Sequence, residues 1–313
     1  VNSAQDLYTL VRTEVDKAVV GKSEAKAITF AAFLAGGNVL LEGVPGIAKT
    51  LLARAFSRAL GLRFSRVQFT PDLMPTDILG TSIYNQGSSK FEFIAGPIFS
   101  DFVLADEINR APAKTQAALL EAMEERQVSI DNATYRMPDN FIVFATQNPV
   151  EFEGTYSLPE AQLDRFMVRI LLDYPGEEEE TAILTLAPDT AHPADLVAPV
   201  REASAMISPA RRVAADVVVD DKVVQYVRDL IRSSRNLDEL LLGNSPRAGQ
   251  MLLRLSRFYA AIQGHEFVTP DHIRELVPSV LPHRWILKPE AEISQTPIEN
   301  ILRTLFDSVQ VPA

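Results

Sequence analysis

The chain has 313 residues, 47% of them hydrophobic, with a formal net charge of −11 and no cysteine. This length supports one large or two modest domains, and the lack of any apolar run of about 18 residues excludes a membrane-spanning helix. The absence of cysteine excludes disulfides, thiol catalysis and cysteine-held metals, while the acidic balance and the lack of a basic stripe argue against a nucleic-acid binder.

The first twenty residues carry charges throughout, unlike a signal peptide, and a cytoplasmic protein is the expectation. From residue 1 to about 172, short apolar runs alternate with helical patterns. Strands are expected at 39–41, 66–69, 102–105, 141–145 and 167–172, and helices at 25–34, 50–60 and 112–125. Near-continuous apolar strands indicate a sheet covered on both faces, and the alternation indicates an α/β fold with a parallel sheet. Residues 83–94 and 128–137 interrupt the pattern and read as two hairpins. Tyr174-Pro175-Gly176, followed by four glutamates, marks a boundary. Residues 1–174 then form an α/β core and residues 175–313 a small helical domain. Val223, Val224, Val227, Leu230 and Ile231 recur at helical spacing, and Ser245-Pro246 and Thr269-Pro270 are helix starts. The four histidines, His192, His265, His272 and His283, show no metal-ligand spacing.

The stretch Gly43-Val44-Pro45-Gly46-Ile47-Ala48-Lys49-Thr50-Leu51 follows the first core strand. A strand, a tight glycine turn and a helix opening on Lys-Thr form a phosphate-binding loop. Backbone N–H groups wrap the phosphates, and the helix N-terminus adds positive partial charge. Lys49 would reach the outer phosphates and Thr50 would hold Mg²⁺. The strict motif has glycine where Ala48 stands, so Ala48 is expected to keep a negative φ, as at the start of a helix.

Phe102-Val103-Leu104-Ala105-Asp106-Glu107 is an apolar strand ending in two carboxylates. Asp106 would hold Mg²⁺, mainly through water, and Glu107 would orient and deprotonate an attacking water. Asn148, after the next strand, would sit near the γ-phosphate and help hold that water. Arg165 is a candidate finger offered to the nucleotide of a neighbouring copy, or else the partner of Asp164 or Glu160. Arg247, in the first turn of a helix in the second domain, would touch the γ-phosphate from that side, or else lie as a surface arginine.

With these residues in place the chain resembles the MoxR family of AAA+ ATPases, related to Mg-chelatase ATPase subunits and more distantly to the MCM helicases. The resemblance rests on Gly43 to Thr50, Leu104 to Thr115, Ala145 to Pro149, Gly154 to Phe166 and Ser245 to Arg247. It implies a five-stranded parallel sheet of order 5-1-4-3-2 with a helical lid, the first hairpin a helix-2 insert and the second a pre-sensor hairpin. It implies ATP or ADP with Mg²⁺, and adenine beside Val19, Val20 and Gly21. Asn148 would be the sensor of the fourth strand, Arg165 the trans-acting finger and Arg247 the sensor of the lid. It further implies rings, commonly hexamers, acting as chaperone-like ATPases in cofactor or metal insertion and complex assembly, often with von Willebrand A-type partners. A nucleic-acid motor, a slow nucleotide-gated switch and a chelatase subunit are the alternatives. Lys90 and Arg136 are the obvious basic residues of the hairpins.

Overall fold

The computed structural model describes residues 3–312 other than 45, 88, 132, 149–155, 157 and 187–191. Helices α1 (Ser3–Val15) and α2 (Ser23–Ala35) lead into β1 (Asn38–Glu42), α3 (Lys49–Ala59) and β2 (Phe64–Gln68). The short α4 (Pro75–Leu79) precedes a hairpin of β3 (Gly80–Asn85) and β4 (Lys90–Ala95), and β5 (Phe102–Asp106) follows. Next come α5 (Ala113–Glu125), a second hairpin of β6 (Gln127–Ile130) and β7 (Ala133–Arg136), then β8 (Ile142–Gln147), α6 (Glu160–Leu163) and β9 (Phe166–Leu171). The remainder runs through α7 (Glu177–Leu186), α8 (Ala203–Ala215), α9 (Asp221–Ser234), β10 (Leu240–Leu242), α10 (Pro246–Ile262), α11 (Pro270–Val280), β11 (Ile286–Leu287), α12 (Pro289–Ile293) and α13 (Ile298–Asp307).

Five strands form one parallel sheet in the order β2-β5-β8-β1-β9. Numbered among themselves and read from β9, they run 5-1-4-3-2, the order that the resemblance implies. Their continuous apolar runs follow from cover on both sides. Along β5, Phe102 and Leu104 enter the core that holds Phe33 of α2 and Phe56 of α3. Val103 and Ala105 enter the opposite core, with Leu119, Leu120 and Met123 of α5. Phe102 packs between Phe33 and Phe144, with ring centroids 5.1 and 5.4 Å away. The carboxyl ends of β1, β5 and β8 therefore open on one edge, where open α/β sheets bind ligands.

The C-terminal half is mostly helical, as expected, with one addition: β10 and β11 pair as a two-stranded ribbon. Hydrophobic residues of α1 and α2 (Leu7, Val11, Phe30) share a core with Ile207, Leu252, Leu255 and Phe258 of α8 and α10. The first helices thus pack into the core of the second half. Four glutamates fill the first turn of α7, where they complement the helix dipole. Among the described residues no helix is long and apolar enough to cross a membrane.

Candidate functional site

The loop between β1 and α3 lines a cleft of about 650 Å³. Gly46, Ile47, Ala48, Lys49, Thr50 and Leu51 form one wall. Val19, Val20, Leu172, Tyr174, Ile183, Leu184 and Leu196 supply apolar surface around it. Leu184 and Tyr174 are 74% and 72% exposed, so they can close on a flat apolar ring without leaving another contact. Val20 lines the cleft, and Gly21 turns the chain beside it at φ 63°. Lys26, 2% exposed, donates to the Val19 carbonyl at 2.6 Å and pairs with Asp16. A buried ammonium needs such partners, and this one fixes the cleft wall.

The loop's backbone requires its glycines. Gly43 has φ 149°, and a Cβ there would collide with the Leu172 carbonyl and Ile47. Gly46 has φ 85°, with open space where a side chain would be. Ala48 does not keep the expected negative φ: it is left-handed, at φ 68° and ψ 17°, as the residue before α3. The turn into the helix needs that conformation, which costs an L-residue about 1–2 kcal/mol. The glycine of the strict motif would adopt it without strain. Pro45 lies outside the described residues. Lys49 Nζ donates to the Gly43 carbonyl, to Val44 O at 3.3 Å and to Gln147 O at 3.5 Å. The ammonium therefore stands between the loop and the end of β8.

Beyond the cleft, Asp106 ends β5 and Glu107 follows it, and a tight network orders both. Thr146 Oγ1, at the end of β8, donates to Asp106 Oδ1 at 2.6 Å and accepts the Glu107 N–H at 2.8 Å. Arg66 approaches Asp106 Oδ2 with Nη2 at 2.7 Å and Nε at 2.9 Å. Gln68 Nε2 donates to Glu107 Oε2 at 2.7 Å, and Arg110 Nη1 donates to the same oxygen at 2.9 Å. Glu107 is left-handed at φ 56°, so two non-glycine residues at this edge, Ala48 and Glu107, hold strained backbone. Asn148 follows β8 and is 7% exposed.

These donors suit a hard cation. Thr50 and Asp106 offer oxygen, and Oδ1 of Asp106 has a lone pair beyond the one that Thr146 uses. Mg²⁺ fits this set.

The two arginines are placed differently from the rest. Arg165 Nε pairs with Glu124 Oε2 at 3.1 Å, and Arg247 Nη2 pairs with Glu124 Oε1 at 3.2 Å. Arg247 Nε also faces Asp164 Oδ2 at 3.6 Å. Neither arginine is among the described residues lining the cleft. Arg247, expected to touch the γ-phosphate from the second domain, is presented by α10 beside Arg165. The residues 149–155 and 157 of the motif before β9 lie outside the described set.

Sequence reasoning misses Arg66, Gln68, Thr146 and Glu124. Arg66 and Gln68 alternate with Val67 at the end of β2, a pattern that marks a polar strand end. Nothing in the local sequence of α5 marks Glu124.

The model of the ATPase family associated with various cellular activities (AAA) matches residues 38–168, and the AAA lid domain model matches 232–305. The chain is 41% identical to chaperone MoxR1 of Mycobacterium tuberculosis, over 99% of this chain and 84% of that protein. It is 34% identical to protein MoxR of Methylorubrum extorquens, over 98% and 96%, and 43% identical to the Bacillus subtilis protein YeaC, over 98% and 97%. A crystal structure from Cytophaga hutchinsonii superposes with a TM-score of 0.90 at 38% identity, covering 100% of this chain and 97% of that one.

Proposed function

Because the chain belongs to the MoxR family of AAA ATPases and is an ATP-hydrolysing enzyme, we propose that it works as a ring, remodelling a partner protein at the expense of ATP. ATP enters the cleft with its base against Val19, Val20 and the α7 side chains, and its phosphates on the loop at Gly43 to Thr50. Lys49 moves from the loop carbonyls to the outer phosphates. Thr50 and Asp106 would hold Mg²⁺, which would neutralise phosphate charge when bound. Glu107 takes the proton of the attacking water, and Asn148 helps to hold that water.

The observation that carries the ring is the pairing of Arg165 and Arg247 on Glu124, outside their own cleft. Two guanidiniums from separate domains, gathered on one surface, fit the phosphates of an adjoining copy, where they would offset charge in the transition state. The family resemblance supports six copies and a von Willebrand A-type partner. The first hairpin exposes Tyr84 and Phe91 at 52% and 72%, ring against ring at 5.3 Å. An aromatic pair on an exposed ribbon suits a client protein better than a polyanion.

The test is ATP turnover against protein concentration, with mass measured in parallel, with and without ATP and Mg²⁺. Specific activity that rises with assembly is expected. Full activity from a stable monomer would overturn the ring and leave a subunit complete in itself.

A further inference from the structure

Glu124 stands in the last turn of α5, where no basic residue offsets it. A carboxylate there opposes the helix dipole. Its compensation comes from two distant places: Arg165, between α6 and β9, and Arg247, in the first turn of α10. The side chains of Arg165, Arg247 and Glu124 are 28%, 46% and 37% exposed. Ion pairs this exposed add little to stability, so stability does not explain the convergence.

We propose that Glu124 is a positioning residue for hydrolysis in the adjoining copy, holding Arg165 and Arg247 together as one clamp for its phosphates. The proposal rests on the reading that both arginines act on a neighbour. Two flexible cations this close repel, and each loses freedom when held in place. One carboxylate between them removes the repulsion. Each oxygen takes one guanidinium, so each arginine keeps N–H donors for a second acceptor.

The rear of the clamp is anchored as well. Asp164 takes Arg247 Nε at 3.6 Å and Arg284 Nε at 2.7 Å. The Arg284 side chain is 4% exposed and donates to the Phe166 carbonyl at 2.6 Å. Asp164 is therefore tied to a buried support, and Arg247 leans on it. Three guanidiniums and two carboxylates leave an excess of one positive charge, suited to an anion arriving from outside.

The experiment compares E124A, the isosteric E124Q and R165A in assembled protein, each alone and mixed with E107Q. ATP affinity of the lone subunit and thermal stability should match wild type in E124A and E124Q, because neither touches the subunit's own cleft. Turnover of E124A should fall about 10- to 100-fold, the loss expected when positioned groups are misplaced; E124Q, which keeps the shape and one acceptor, should lose less. E107Q subunits carry a dead cleft but an intact clamp. They should restore turnover to E124A in co-assembled rings, because the clefts of E124A are whole. Wild-type turnover in E124A, or a loss that E107Q does not restore in rings shown to be mixed, would overturn the role of Glu124. R165A with E107Q separates the two readings. Recovery there without recovery for E124A defeats only the positioning role, and no recovery in either defeats the trans-acting arginines and the positioning role with them.

Discussion

Thr146 joins the two central strands of the site to one carboxylate: its hydroxyl donates to Asp106 Oδ1 at 2.6 Å while accepting the Glu107 N–H at 2.8 Å. The hydroxyl is a single group with partners in both acidic residues, and Thr146 is 1% exposed. Water cannot replace it.

Thr146→Val keeps the shape and removes both bonds. The part-buried Glu107 N–H is left without its acceptor, at a cost of about 1 kcal/mol. Lower stability in urea unfolding and reduced turnover are the expected result. Unchanged values in both would show that Asp106 and Glu107 are ordered by other contacts.

Gln68 and Arg110 share Oε2 of Glu107, the carboxylate assigned to take the proton from water. Gln68→Ala frees that oxygen from one donor. A net hydrogen bond of about 1 kcal/mol corresponds to about fivefold in rate. Basal turnover is expected to rise by up to that factor. A fall would mean that Gln68 orients the base for reaction instead of restraining it.

Ala48 occupies a left-handed position at φ 68°. Ala48→Gly removes the strain there, though glycine also gains freedom in the unfolded chain. Stability should rise by about 1 kcal/mol, seen in a chain of 313 residues as a melting temperature higher by about 1–2 °C. ATP binding should persist. A lower melting temperature would show that the loop does not hold Ala48 in this conformation.

His283 is buried against the Phe166 carbonyl, with Nε2 at 3.2 Å. Burial, reinforced by Arg284 and Arg169, pushes its pKa well below the ordinary 6.5. The unfolded chain therefore binds the proton more readily. The resulting stability is complete above about pH 6.5 and is lost as pH falls below it toward the folded pKa. Folding should weaken by up to about 2 kcal/mol between pH 7 and pH 5 from this group alone. Urea unfolding at both pH values should show a shallower decline for His283→Gln. His272, lowered by burial and by His265, contributes in the same direction and remains in the variant. An equal decline in both proteins would remove His283 as a source.

Much of the site is legible in the amino-acid sequence. Lys49, Thr50, Asp106 and Glu107 lie where a strand ends and the chain turns, so spacing and hydrophobic period locate them together. The sheet follows from the same runs, because side chains such as Phe102 and Val103 face opposite cores. The φ of Ala48 is not legible in the same way, because a sequence motif does not report on which side of the helix start a strained residue falls.

Local order along the chain therefore determined the α/β core, the phosphate loop and the acidic strand end, since these depend on residues within a turn or a strand of one another. The tertiary structure alone decided the partners of those groups. Arg66 and Gln68 meet Asp106 and Glu107 because β2 lies beside β5, and Arg247 meets Glu124 and Arg165 because α10 comes to rest against the core. Ion pairs act through space over a few ångströms, and only the folded chain brings residues so far apart in sequence within that distance.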